Sequence, residues 1–385
     1  MRKIHRMIMV LVIPALLAGC SGNSGSTSSG PAAADTAATS ASAAQQENTA
    51  AQTEITSAQE AETAATEATA DASNAASATS EADTGNAASA TSEADASAGG
   101  GTSPAEGYPQ FDLSNGTVTL NDGNTMPILG LGMFSLSDSE AENSTYWALK
   151  AGFRLIDTAR IYGNEAAVGR GLQRAIDEGI VTREEVFITT KMWTSDFGNG
   201  DAAVDASLEQ LGVDYIDLMI LHHSQPENDV DAYQAMERAV ADGKLRSIGL
   251  SNYYEPEDFD RLVNATSITP ALLQNETHPY HQSVMMKDHI AQYGTVMESW
   301  FPLGGRGNTQ TLFNDPVIAG IAEAHGVSSP QVIIRWHLQA SNICIPGSSN
   351  EQHIIEDYDV WDFELTEEEM AQLTALDKND RFADY

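Results

Sequence analysis

Short apolar runs alternate with amphipathic segments along the chain from Tyr108 to its C-terminus. Each run is nearly continuous in apolar residues, which is typical of strands buried on both faces of a parallel sheet. The segments between the runs repeat their apolar residues at helical spacing, so strand and helix alternate. The eight predicted strands begin near Ile128, Phe153, Val186, Ile216, Ile248, Ala271, Thr295 and Ile343.

Helices are predicted between these strands, with two of them in the long gap before the eighth strand. A further helix is predicted near the C-terminus, where Thr366 and Glu369 have the spacing of a capping box. The predicted helices are residues 139–150, 166–178, 202–211, 230–241, 256–263, 287–292, 316–325, 330–339 and 367–376.

A β-hairpin is predicted before the first strand, because residues 117–120 and 125–128 flank an Asn-Asp-Gly-Asn turn. Eight strand–helix units indicate an α/β fold, a closed (β/α)8 TIM barrel over residues 108–385, with the hairpin as a plug at its N-terminal end. A doubly wound open sheet is the alternative. It requires a glycine-rich turn after the first strand, and the stretch from Gly130 to Phe134 lacks the third glycine of that pattern.

The first twenty residues have the pattern of a secretory signal. Arg2, Lys3 and Arg6 precede an apolar stretch that is too short to be a dependable spanning helix. The sequence Leu-Ala-Gly-Cys at 17–20 resembles the lipobox of bacterial lipoproteins. It implies a signal peptide at 1–19, lipidation of Cys20, and an extracytoplasmic protein anchored to the bacterial cell membrane; an ordinary cleaved signal is the alternative.

Residues 20–107 are predicted to be a disordered linker, because a segment of Ala, Ser, Thr, Gly and Glu cannot bury enough apolar surface to offset its chain entropy.

The chain has 55 acidic and 19 basic residues, for a formal net charge of -36, which argues against nucleic acid as a partner. Cys344 lies in an apolar run and is predicted to be a buried hydrophobe, so with Cys20 lipidated no intrachain disulfide is expected. No metal site is predicted.

Three consecutive predicted strands end in residues that can carry chemistry, namely Asp157, Lys191 and His222. The C-terminal ends of barrel strands form one face, and Tyr162 can reach this face from the loop after the second strand. Each residue alone has an ordinary explanation as an ion-pair member, a core histidine or a loop aromatic. Together, an acid, a base, a phenol and an imidazole form a set suited to proton transfer.

The physical logic of this set gives each member a role. An ammonium group at Lys191 stabilises the phenolate of Tyr162 and makes the tyrosine a stronger acid. Asp157 can hold Lys191 in place, and His222 can donate a hydrogen bond that orients a carbonyl oxygen. The set would therefore protonate a developing alkoxide while a hydride arrives from elsewhere.

The chain resembles the aldo-keto reductases from about residue 117 to 363, in the order and spacing of seven motifs. The resemblance implies a (β/α)8 fold and the reversible reduction of an aldehyde or ketone with NADPH or NADH. It also implies that Asp157, Tyr162, Lys191 and His222 are the catalytic tetrad, with Tyr162 as the general acid. The motifs are GFRLIDTARIYGNE, ITTKMW, SLEQLGVDYIDLMILHH, GKLRSIGLSNY, QNETHPY, WFPLGG and IPGSSNEQHIIED.

The same resemblance implies contacts to the cofactor. Ser251, Asn252 and Gln274 match the residues that bind the nicotinamide amide, and Trp300 matches the aromatic residue on which the nicotinamide stacks. Further implied contacts, to the pyrophosphate and the adenosine end, are Leu303, Gly304, Ser348, Ser349 and His353.

The adenosine end departs from the family pattern. Gly347 stands where many members have lysine, and His353 stands for the arginine that grips the 2′-phosphate. Two fixed cations are thus replaced by one titratable imidazole, which weakens the preference for NADPH and predicts dual or undecided use of NADPH and NADH. Trp193 and Phe134, together with His222, are predicted to line the substrate pocket.

Two classes of function follow from the sequence. The first is a monomeric, lipid-anchored reductase that acts on a small carbonyl substrate, and the intact tetrad favours it. The alternative is a binding or sensory module on the same barrel, without useful turnover.

Overall fold

The computed structural model describes residues 109–305 and 307–383. The predicted signal peptide, the predicted lipidation site Cys20 and the predicted linker lie outside these residues. The described part begins at the start of the predicted barrel region.

A small antiparallel sheet precedes the barrel and consists of β1 (Gln110–Asp112), β2 (Thr117–Thr119) and β3 (Thr125–Pro127). Strands β2 and β3 form the predicted hairpin. Strand β1 pairs with β2 and was not predicted, because a strand of three residues is too short to show a pattern. In the turn, the Asn121 side chain donates to the Pro270 carbonyl at 3.0 Å, just before a barrel strand begins. The hairpin therefore packs against the N-terminal ends of the strands.

Eight parallel strands follow, each hydrogen-bonded to the next in chain order. A parallel bridge between Leu129 and Cys344 joins the first strand region to the last, so the sheet closes on itself. The predicted (β/α)8 barrel is confirmed, and the open sheet is wrong. The strands are β4 (Leu131–Gly132), β5 (Leu155–Asp157), β6 (Phe187–Met192), β7 (Ile216–Leu221), β8 (Leu245–Ser251), β9 (Leu272–Glu276), β10 (Val296–Trp300) and β11 (Ile343–Cys344).

Helices cover the outside of the barrel. In the part of the chain that the structure describes, the nine predicted helices are present within a few residues of their expected ends, and two further short helices, Thr309–Phe313 and Glu351–Tyr358, were not predicted. The helices are α1 (Asp138–Ala151), α2 (Glu165–Asp177), α3 (Gly200–Leu211), α4 (Asp229–Ala241), α5 (Pro256–Ala265), α6 (Val284–Ala291), α7 (Thr309–Phe313), α8 (Pro316–His325), α9 (Ser329–Gln339), α10 (Glu351–Tyr358) and α11 (Glu367–Thr374).

Close approach of the strands inside the barrel depends on small residues. A Cβ atom on Gly249 of β8 would lie 2.5 Å from the Leu272 carbonyl oxygen, so a side chain there would force the strands apart.

Cys344 of β11 is fully buried, and burial raises the pKa of its thiol. The prediction that this cysteine is a packed hydrophobe is confirmed.

None of the helices in the described residues is long and apolar enough to cross a membrane by itself. Helices α8 and α9 reach the required length and composition only as a pair, and they are bent by 94° at their junction.

Candidate active site

The C-terminal ends of β5, β6 and β7 bring three of the predicted residues together. Asp157 is the last residue of β5, Lys191 is the next-to-last residue of β6, and His222 directly follows β7. Their exposed fractions are 2%, 0% and 7%, so all three are shielded from solvent. Tyr162 ends a short 3-10 turn, Arg160–Tyr162, in the loop after β5 and is half-buried.

Asp157 and Lys191 form a buried ion pair, in which Lys191 Nζ donates to Asp157 Oδ1 at 2.5 Å and to the Thr158 carbonyl at 2.9 Å. Burial alone would lower the pKa of Lys191, but the negative charge of Asp157 raises it above its ordinary value. Burial pushes the pKa of Asp157 upward, and the ammonium opposes that shift. The pair therefore holds a charged lysine at a fixed place beneath the site.

Tyr162 lies against this lysine. The Lys191 ammonium is 5.0 Å from the centroid of the Tyr162 ring, and the ring meets His222 edge-on at a centroid distance of 5.7 Å. A positive charge at that distance favours the phenolate form of a tyrosine. The phenol, the ammonium and the imidazole thus share one small volume, as the sequence predicted.

His222 is a neutral imidazole at neutral pH. Burial, followed by the charges of His223 and Lys191, lowers its pKa well below the ordinary 6.5. The His223 ring stacks on it at 5.1 Å, and burial lowers the pKa of His223 to about 4. The Nδ1 atom of His222 has no hydrogen-bond partner among the described residues. A neutral ring retains one N–H, which can donate to a substrate oxygen.

Gln274 on β9 extends the network to a carboxyl group that the sequence analysis did not identify. Its Nε2 donates to Asp157 Oδ2 at 2.9 Å and to Oε2 of Glu298 at 2.6 Å. Both amide hydrogens are therefore used by carboxyl groups, which leaves the carbonyl oxygen of Gln274 for a ligand. Glu298 belongs to β10 and is fully buried.

Asn252 braces two other site residues. Its backbone has φ 59°, a left-handed conformation that asparagine tolerates better than most residues. The side-chain amide donates to the His222 carbonyl at 2.9 Å, and its oxygen accepts from Trp300 Nε1 at 3.1 Å and from the Tyr254 hydroxyl at 3.0 Å. In this conformation Asn252 fixes the indole of Trp300 and the loop that carries His222.

Aromatic side chains line two sides of the opening at the C-terminal end of the barrel strands. Phe134 packs against Tyr162 with ring centroids 5.2 Å apart, and Trp193 lies edge-on to His222 at 5.0 Å. Phe301, which sequence reasoning missed, contacts Phe134 at 5.8 Å and has the unusual backbone angle φ 50°. A strained residue of this kind is common where a side chain must be aimed at a site.

The C-terminal tail folds back onto the end of β9. The backbone N–H groups of Phe382 and Ala383 donate to the two carboxylate oxygens of Glu276, at 2.5 and 3.3 Å. The guanidinium of Arg381 lies 3.8 Å from the centroid of the Tyr254 ring, and Tyr254 in turn contacts Asn252. The described residues of the tail are thus folded against this end of the barrel.

The predicted pyrophosphate and adenosine contacts follow β10 and β11 along the chain. Gly304 has φ 87°, a conformation that residues with a side chain rarely adopt, so a substitution there would be strained. Ser348 and Ser349 precede Asn350, whose side chain caps α10 by accepting from the N–H of His353 at 3.2 Å. The exposed helix N-terminus has the backbone N–H groups and dipole that suit a phosphate.

Comparison with known proteins identifies the family of the chain. The aldo/keto reductase family model matches residues 112–378. An aldo-keto reductase of Mycolicibacterium smegmatis is 43% identical over 268 residues, which are 69% of this chain and 94% of that protein. Morphine 6-dehydrogenase of Pseudomonas putida is 42% identical over 275 residues, which are 68% of this chain and 90% of that protein.

A solved structure leads to the same family. The crystal structure of a Bombyx mori aldo-keto reductase in complex with NADP is similar with a TM-score of 0.65 and 35% sequence identity. The similarity covers 70% of this chain and 94% of that one. With a family model over most of the chain, and with relatives above 40% identity over nearly their whole length, this chain belongs to the aldo/keto reductase family.

Proposed function

We propose that the protein reduces an aldehyde or ketone to the alcohol, with a hydride from NADPH or NADH and a proton from Tyr162. Membership of the family makes the protein an oxidoreductase that uses NAD(P)H. The observation that carries the finer proposal is the contact of Tyr162 with a buried, charged lysine and a neutral histidine. These groups are what protonation of a developing alkoxide requires.

Each residue of the site has a defined task in this reaction. The carbonyl oxygen binds between the Tyr162 hydroxyl and the His222 N–H, which orients the carbonyl carbon for attack. As negative charge grows on that oxygen, Tyr162 gives up its proton, and the Lys191 ammonium stabilises the phenolate that remains. Asp157 keeps Lys191 in place, and the walls formed by Phe134 and Trp193 exclude water from the reacting atoms.

The chain offers a site that fits the nicotinamide. The hydroxyl of Ser251 is buried and has no partner among the described residues, and the carbonyl oxygen of Gln274 remains for an amide donor. Trp300 supplies an indole held in place by Asn252, against which the nicotinamide ring can stack. When bound, the reduced nicotinamide supplies the hydride. The Asn252 amide is engaged by Trp300 and His222, so its part is to hold those residues as much as to contact the cofactor.

The preference between the two cofactors is proposed to be weak. The N-terminus of α10 offers backbone N–H groups and the single imidazole of His353, without a fixed cation at Gly347. His353→Arg restores a guanidinium that can bind a 2′-phosphate in a bidentate manner. We expect its ratio of kcat/KM for NADPH over NADH to rise by about tenfold, which corresponds to about 1.4 kcal/mol. A wild-type enzyme that already prefers NADPH by several hundredfold would contradict this interpretation.

The function is tested by mixing the purified full-length chain with NADPH or NADH and a panel of aldehydes and ketones. Loss of the nicotinamide absorbance, with formation of the matching alcohol, is the expected result. Cofactor binding without any turnover across a broad panel would instead support a binding or sensory module on the same barrel.

A lipid anchor at Cys20 is the second part of the proposal, and the lipobox at 17–20 supports it. It places the enzyme outside the cytoplasm, tethered to the bacterial membrane through a long acidic linker. Fractionation of cells that express the wild-type chain or Cys20→Ala tests it. The wild-type protein should sediment with membranes and the variant should not, and a variant that stays with the membranes would refute the anchor.

A further inference from the structure

Glu298 is a second carboxyl group inside the site, beside the Asp157–Lys191 pair. It has an exposed fraction of 0%, and its Oε2 accepts from Gln274 Nε2 at 2.6 Å. The same nitrogen donates to Asp157 Oδ2 at 2.9 Å, so one amide group links the two carboxyls. The other oxygen of Glu298, Oε1, has no hydrogen-bond partner among the described residues. A buried carboxyl without a cation of its own is costly in its ionised form.

The neighbouring strands give Glu298 no compensating charge. On β11, the thiol of Cys344 is neutral, because burial, followed by the charges of Asp357 and Glu298, raises its pKa. On β9, the carboxylate of Glu276 is bound by His278 at 3.0 Å, by Arg381 and by the tail. Strands β9 and β11 thus bring no cation to Glu298.

On the other side of the barrel, the charge of Lys191 is already balanced by Asp157. Among the described residues, Lys191 is the cation that faces Glu298, and its Nζ atom lies 2.5 Å from Oδ1 of Asp157. Ionising Glu298 would leave two carboxylates with one ammonium in a buried space. Burial, followed by the charge of Asp157, raises the pKa of Glu298 to about 8. At neutral pH the group therefore carries a proton.

Glu298 lies beside the residues that are proposed to bind the nicotinamide, so its proton is close to the cofactor site. Glu298 and Trp300 are two residues apart on β10, so both side chains lie on the same face of the strand. Gln274 is the cross-strand partner of Glu298. Under the function proposed above, on which this inference rests, Trp300 stacks on the nicotinamide ring and Gln274 binds its amide. That ring is uncharged in the reduced cofactor and carries a positive charge in the oxidised one.

We propose that Glu298 is the counter-charge for the oxidised nicotinamide, holding a proton when the reduced cofactor is bound and releasing it to solvent when the oxidised cofactor binds. The released proton is separate from the proton that Tyr162 gives to the substrate oxygen. The consequence is that pH changes the affinity for the oxidised cofactor and the affinity for the reduced cofactor differently. Affinity for the oxidised form rises with pH as Glu298 ionises, whereas affinity for the reduced form does not depend on this group.

Proton release on binding is the direct test, with Tyr162→Phe as the background so that the phenol does not titrate. Isothermal titration of the full-length variant with NADP+ and with NADPH, in buffers of different ionisation enthalpy at pH 7.5, counts the protons exchanged. We expect NADP+ to release about half a proton more than NADPH. The adenosine and its 2′-phosphate are common to both, so their titration cancels in the difference. Between pH 7 and 9 the Kd for NADP+ should fall about fivefold, as expected if its binding lowers the pKa of Glu298 by about one unit.

Substitution at Glu298 assigns the proton. Glu298→Gln in the same background should abolish the difference between the cofactors. Asp357→Asn is the matched control, because Asp357 is another buried carboxyl, with its pKa raised to about 7, and lies on α10. That control should keep the difference. Equal numbers of protons released by NADP+ and NADPH in the Tyr162→Phe variant, in which Glu298 is retained, would overturn the proposal. A difference in proton release that persists after Glu298→Gln would also overturn it. Binding of neither cofactor would overturn the proposed function as well.

Discussion

Asp157→Asn isolates the contribution of the buried ion pair. The substitution keeps the shape of the side chain but removes its charge, and Lys191 then has only neutral acceptors, the amide oxygen at position 157 and the Thr158 carbonyl. Two unit charges 2.5 Å apart attract by about 7 kcal/mol at an effective dielectric constant of about 20. Desolvation of both groups offsets part of this, and removal of one partner from a buried pair costs about 3–5 kcal/mol.

The loss should depend on pH in a defined direction. In the wild type, the pKa of Lys191 is raised, so its stabilisation is present below the unfolded pKa of about 10.4 and is lost only as pH rises through the folded value. In Asp157→Asn, burial without a counter-ion lowers the pKa of Lys191 instead. The variant should therefore be most destabilised at pH 6 and less so at pH 9, where the lysine can become neutral.

Thermal unfolding followed by circular dichroism measures this effect. A cost of 3–5 kcal/mol corresponds to a fall in Tm of roughly 5–9 °C for a domain of this size. In parallel, kcat at 25 °C should fall by at least about tenfold, because Lys191 is no longer held against Tyr162. A variant with the wild-type Tm at pH 6 and unchanged kcat would refute the role given to the pair.

Asp217→Asn is the matched control. Asp217 has an exposed fraction of 2% and binds Arg183 at 2.8 Å and Arg246 at 3.2 Å, but it lies near the N-terminal end of β7, away from the tetrad. Its substitution should also lower Tm while kcat at 25 °C remains within about twofold of the wild type. A similar loss of kcat in both variants would mean that the effect of Asp157 is only structural.

Two further substitutions test the cofactor face and the tail. Trp300→Ala removes the indole on which the nicotinamide is proposed to stack. Because base–aromatic stacking contributes about 1–3 kcal/mol, Kd for NADPH, measured by calorimetry, should rise at least about fivefold. Glu276→Gln weakens the anchor of the tail at Arg381 and Phe382, so trypsin should cut after Arg381 at least about tenfold faster, as measured by mass spectrometry. An unchanged Kd in the first variant, or an unchanged cleavage rate in the second, would contradict these contacts.

The sequence was sufficient to predict the barrel and the placement of Asp157, Lys191 and His222 at one end of it, because both depend on local order along the chain. Each apolar run locates a strand, and Asp157, Lys191 and His222 stand at or just after a strand end, so parallel strands must gather them. The start of β8 was placed three residues late, at Ile248, because Arg246 and Ser247 interrupt the apolar run that begins at Leu245.

Features that depend on pairing between distant segments could not be predicted. Glu298 sits inside an apolar run, and its contact with Gln274 follows from the register of β9 and β10 within the closed barrel. The tail docks through backbone N–H groups onto Glu276, which leaves no trace in local composition. The start of α10 is different, because Asn350 has the residue type of a helix cap and could have indicated it.

The measurement that tests the central claim most directly is the kcat of Tyr162→Phe beside its affinity for NADPH. The substitution removes only the phenolic hydroxyl, so the ring still packs against Phe134 and His222. Loss of a general acid should lower kcat for carbonyl reduction by about 10²–10⁴-fold, while Kd for NADPH stays within about twofold. A variant that reduces the same aldehyde at more than about a tenth of the wild-type rate would contradict the role of Tyr162 as the proton donor.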